Sequence, residues 1–78
     1  MKYSEFYSLL EQAIDTTETI GFDTVLTRLE SYDSLAVLGI MAMADGSFGR
    51  KLTAEDFARV GTVESLMAVI GMDHFEED

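Results

Sequence analysis

An aspartate followed by a serine, Asp33-Ser34, carries the most chemical promise in this chain, because the uncharged run Leu35 to Ala44 comes directly after it. Both residue types cap helices well: their side-chain oxygens accept hydrogen bonds from the backbone N–H groups that a helix start leaves free. A serine becomes a nucleophile only when a base takes its proton, and acid–base work otherwise needs a second carboxylate or a metal. There is no Cys, and the single His74 sits near the chain end. No residue pattern supplies a base for Ser34. No catalytic set emerges, and the chain is not read as an enzyme.

Two further groups invite a metal. A calcium loop built on Asp45-Gly46 needs oxygen ligands at its first, third and twelfth positions. Those positions hold Met41, Met43 and Leu52, which excludes calcium. His74 beside Asp73 and Glu76 can be drawn as a site, but three exposed side chains in a terminal stretch read as solvated charges. No metal ligand is assigned.

Fifteen acidic and five basic residues give a formal net charge of −10. Nucleic acid needs cations to neutralise its phosphates, so it is an unfavourable partner, and so is an anionic membrane surface. The charge suits steering toward basic docking patches, and it suits plain solubility equally well. Seventy-eight residues allow one domain, 1–78, with one small core. The lack of Cys fits a reducing compartment, and the lack of Pro favours helices. The opening MKYSEF lacks the basic-then-apolar order of a secretory signal. The longest apolar run is roughly half of what spans a bilayer. A cytoplasmic location is the expectation.

The elements that must position Asp33-Ser34 follow from periodicity. Tyr3, Phe6, Tyr7, Leu10, Ala13 and Ile14 recur at helical spacing, predicting a first helix over Tyr3–Asp15 with that face toward the core. Thr16 to Ser31 opens on Thr-Thr-Glu-Thr, which resists helix through β-branching and local side-chain bonding. A loop that long needs anchors. Ile20, Phe22, Val25, Leu26 and Leu29 can supply them, with a helical turn around Thr24–Leu29. The second helix is predicted over Ser34–Ser47. Val37, Ile40, Met41, Ala44 and Phe48 form one apolar face, taken as core. Leu35, Leu38 and Ala42 form another that starts beside Ser34, and a helix apolar on two faces in so small a bundle offers one of them to a partner.

Thr53 to Asp56 reads as a capping box opening a short third helix anchored by Phe57 and Val60, with Gly61 as its terminating residue. Thr62 caps a fourth helix whose Val63, Leu66, Met67 and Ile70 face inward and which Gly71 closes. Residues 72–78 form a short acidic tail. The fold class is therefore all-α, a bundle of three longer helices and one short one with a long loop between the first and second.

From Asp33 onward, without a gap, the sequence resembles the acyl carrier protein family. The family's attachment motif stands as Asp33-Ser34-Leu35, the Phe-Gly pair closing its second helix as Phe48-Gly49, and the aliphatic residue entering the next loop as Leu52. The acidic pair opening the third helix is Glu55-Asp56, and the Thr-Val opening the last is Thr62-Val63. Upstream, Phe22 to Ser31 is similar to the leucine-punctuated loop of discrete carriers through Leu26 and Leu29. The residues before Thr16 agree in pattern only.

The resemblance implies a four-helix acyl-carrier-like bundle in which Ser34 is a substrate. A phosphopantetheinyl transferase joins the 4'-phosphopantetheine of coenzyme A to it by a phosphodiester, and the arm's thiol carries acyl groups as thioesters. Acyl-loading and acyl-transferring enzymes of a fatty-acid, polyketide or related secondary pathway are the implied partners, with the carrier a monomer. A phosphate at a helix N-terminus meets unpaired N–H groups and the positive end of the helix dipole. Asp33 repels it, so Asp33 is given a capping and partner-contact role. The family carries several acids along the second helix, whereas here Ala36, Gly39 and Gly46 stand at positions often acidic and Asp45 is the main acid. Docking is therefore expected through Leu35, Leu38 and Ala42, with Asp45 secondary. The alternative is an unmodified helical adaptor that binds partners through the same Leu35/Leu38/Ala42 face.

Overall fold

The computed structural model describes residues 1–78. It holds four α-helices and no strands: α1 Tyr3–Ile14, α2 Ser34–Phe48, α3 Ala54–Phe57 and α4 Val63–Ile70. Short 3₁₀ turns occupy Leu26–Arg28 and Met72–His74. Three longer helices and one short one form a helical bundle, as the periodicities predict.

Helix α1 starts where the Lys2 N–H donates to Glu5 Oε1 at 2.9 Å. It stops one residue earlier than expected because Asp15 turns left-handed, with φ 58° and ψ 47°. A short polar side chain tolerates that conformation better than most. Phe6, Leu10 and Ile14 are buried, while Tyr3, Tyr7 and Ala13 of the same predicted face lie half-buried at its edge.

Helix α2 begins at Asp33, whose Oδ1 accepts the Ala36 N–H at 2.9 Å. It ends at Gly49, where φ 66° lets the Gly49 and Arg50 N–H groups reach the carbonyls of Asp45 and Ala44. The buried row is Ala36, Ile40 and Ala44. The expected core positions Val37, Met41 and Phe48 are instead half-buried. Helix α1 sets this choice by crossing α2 closely. A Cβ on Gly39 would lie 2.9 Å from the Ala13 carbonyl oxygen. A side chain at position 39 does not fit that contact, while Ile40 beside it is fully buried. Gly39→Glu, which would place an acid at a position often acidic in the resembled family, is expected to cost about 1–3 kcal/mol through overpacking. The urea midpoint of unfolding checks this.

The long connection between α1 and α2 is anchored as its apolar residues require. Ile20 and Leu26 are buried, and Phe22 and Leu29 pack against the core. Leu26 N–H donates to the Gly61 carbonyl at 2.8 Å and Val63 N–H to the Thr24 carbonyl at 3.0 Å, tying the loop to the start of α4. The helical turn is confined to Leu26–Arg28, shorter than Thr24–Leu29.

Thr53 caps α3 by accepting the Asp56 N–H at 3.2 Å, while Asp56 Oδ2 accepts the Thr53 N–H at 2.8 Å. That bond, with the Thr53 hydroxyl and Arg59, holds the Asp56 carboxyl below the usual range. Gly61 does not terminate this helix. It ends at Phe57, and Gly61 keeps a negative φ in the connection to α4. Val60 is buried and Phe57 half-buried. In α4 all four expected residues, Val63, Leu66, Met67 and Ile70, are buried, and Gly71 closes the helix at φ 123°.

The acidic segment after α4 does more than trail into solvent. Tyr3 N–H donates to the Glu76 carbonyl at 3.1 Å, Glu76 N–H to the Met1 carbonyl at 2.9 Å, and the N-terminal ammonium to the His74 carbonyl at 2.8 Å. Phe75 places its ring 4.8 Å from that of Phe6 and 5.2 Å from that of Phe48. The two chain ends thus close one end of the bundle together.

Candidate functional site

Ser34 is the first residue of α2 and is exposed. Because Asp33 takes the cap position, the N–H groups of Ser34 and Leu35 have no acceptor in the chain. They stand with the positive end of the helix dipole beside the Ser34 hydroxyl. This arrangement suits an anionic group close to that oxygen, and no base is hydrogen-bonded to the Ser34 hydroxyl. Asp33 Oδ1 is engaged by Ala36. Tyr32 is half-buried, and burial pushes its phenol up, so it keeps its proton. His74 lies against the Phe48 ring, at the far end of α2, and fourteen residues of helix put that end about 21 Å away.

Beside Ser34 runs the second apolar face. Leu35 is 76% exposed and Leu38 60%, and Ala42 is exposed as well. The spacing of i, i+3 and i+7 sets them in one stripe along the helix. Asp45 is exposed nearer the opposite end of α2. Asp73, His74 and Glu76 do not converge with one another or with further ligands on a common point.

Next to Ser34 an open cleft of about 240 Å³ lies between the end of α1 and the start of α2, bordered by Asp33 and Leu35. Ala13, Ile14, Leu35 and Ala36 line it with carbon, and Asp15, Ser31 and Asp33 add polar groups. Sequence reasoning missed this feature.

No protein-family model, curated protein or solved structure matches the chain. No helix is long and apolar enough to cross a membrane.

Proposed function

We propose that this protein is a carrier of the acyl carrier type, with Ser34 as the attachment point of a 4'-phosphopantetheine arm. The observation that carries the reading is an exposed serine at the first position of a capped fifteen-residue helix, with free N–H groups around it and exposed Leu35 and Leu38 alongside. In the modification, Ser34 Oγ forms a bond to the phosphorus that bears the pantetheine in coenzyme A. The anhydride bond breaks, adenosine 3',5'-bisphosphate leaves, and the serine proton goes to the transferase. The bound arm supplies a terminal thiol that holds acyl groups as thioesters. The chain's own residues position the attachment point: Asp33 fixes the start of α2, and the Ser34 and Leu35 N–H groups stabilise negative charge on the phosphodiester. Acyl-loading and acyl-transferring enzymes are the implied partners.

The test is intact mass after incubation with coenzyme A and a broad-specificity transferase. One phosphopantetheine on the peptide containing Ser34 is the expected result. An unchanged mass would leave the exposed Leu35/Leu38/Ala42 stripe as the surface of an unmodified adaptor, the second reading that this face favours.

Recognition of partners should depend on that stripe more than on ion pairs. Burying a leucine is worth about 1.5–3 kcal/mol, which corresponds to a tenfold change or more in affinity. An exposed ion pair contributes under about 1 kcal/mol and is screened by salt. Leu38→Lys is therefore expected to slow modification about tenfold or more while changing stability by less than about 0.5 kcal/mol. Asp45→Ala should do less. Modification rates of the two variants at low and moderate salt, with circular dichroism as the folding control, decide the matter.

A further inference from the structure

We propose that the cleft between the end of α1 and the start of α2 is a resting site for the near half of the pantetheine arm, an inference that rests on the carrier reading above. The cleft is flanked by Asp33 and Leu35, the two neighbours of Ser34 in the chain. Anything joined to Ser34 is therefore already at its mouth. A group on a short flexible tether meets an adjacent site at an effective concentration on the order of millimolar. A shallow cleft is at least half filled under that condition when its dissociation constant is about millimolar or tighter.

Its chemistry selects the neutral middle of the arm. Ala13, Ile14 and Ala36 form the small apolar part of the lining, which suits the two geminal methyls of the pantoate unit. The Asp15 carboxylate and the Ser31 hydroxyl at the rim accept from the pantoate hydroxyl and the amide N–H that follow. The phosphate stays outside, because Asp15 and Asp33 repel it while the α2 N-terminus attracts it. The volume, about 240 Å³, is below the roughly 300 Å³ at which pockets take a whole small ligand. It holds a segment of the arm and leaves the thiol free.

The experiment uses the full chain, modified in vitro with isotope-labelled pantetheine. Intact mass reports whether Ser34 was modified, and nuclear magnetic resonance reports where the arm lies. Expected are nuclear Overhauser contacts from the geminal methyls to Ala13 and Ala36, and an order parameter above about 0.6 for the first arm amide, the value below which a group is freely flexible. The Asp15→Gly/Ser31→Ala double variant, in which Gly accepts the positive φ without strain, should gain the same mass but lose those contacts. Full mass gain with a freely flexible arm overturns the cleft site and leaves the carrier reading standing. Shifts at Ala13 and Ala36 that arise only when the transferase is added also overturn it, since the cleft then belongs to the partner. No mass gain overturns both.

Discussion

Ser34→Ala protein incubated with coenzyme A and a transferase is expected to gain no mass, whereas the wild type is expected to gain one phosphopantetheine. The loss is complete because the alanine methyl offers no oxygen for the phosphodiester, and no other hydroxyl stands in for it. Ser31 is half-buried on the loop before the helix, and Ser47 is on its last turn, about 20 Å along the axis. Stability is expected to be nearly unchanged, within about 0.5 kcal/mol, as for exposed substitutions that remove no cap. The cap here is Asp33, which keeps its bond to the Ala36 N–H in the variant. Asp33→Ala gives the complementary result: it retains the acceptor oxygen and costs about 1 kcal/mol of stability through the lost cap. Intact mass and far-ultraviolet circular dichroism on both variants separate acceptor from cap. Equal mass gain in wild type and Ser34→Ala would show that the attachment point lies elsewhere and would end the assignment of Ser34.

How much of this was legible in the sequence differs from helix to helix. The inward face of helix α4 was read correctly: Glu64 and Ser65 with the small Ala68 mark its outer side, and Val63, Leu66, Met67 and Ile70 are the residues buried. Helix α2 could be located but not oriented. Its Asp33 cap and Gly49 stop are local signals, yet residues Leu35 to Ala44 are apolar all round, so periodicity alone cannot choose the inward face. The choice is made by α1, through the close approach of Ala13 to Gly39, a contact between residues far apart in the chain. The same holds for the cleft, which exists only when Ala13, Asp15 and Ser31 come together around Ala36. Phe75 was hidden for another reason. Acids surround it in sequence, and its role depends on backbone pairing of Glu76 with Met1 and Tyr3, which no local pattern announces. The place of Ser34 at the head of α2 was visible because a capping Asp before an apolar run is a local signal.

Phe6→Ala is expected to remove a large share of the stability of the domain. The ring is fully buried and joins the two chain ends to α2, with centroids 4.8 Å from Phe75 and 6.0 Å from Phe48. Truncating a buried Phe costs about 3–5 kcal/mol, from lost transfer free energy and from the cavity left behind. At roughly 0.05–0.15 kcal/mol per residue, a chain of this size holds only about 4–12 kcal/mol in total. The melting temperature should therefore fall by more than about 12 °C, since each kcal/mol shifts a domain of this size by about 4–8 °C. Phe48→Ala should cost about half as much, because Phe48 is half-buried at the flank of α2 and part of its ring is already in water. The two variants are compared by chemical denaturation followed by circular dichroism. If Phe48→Ala costs as much as Phe6→Ala, then Phe48 is a full member of the core, and the inward row of α2 is the Met41–Phe48 side that periodicity selects. A Phe6→Ala protein with an unchanged midpoint would show that the aromatic cluster at this end carries little of the fold, and that the bundle is held by α4 and the loop anchored at Leu26.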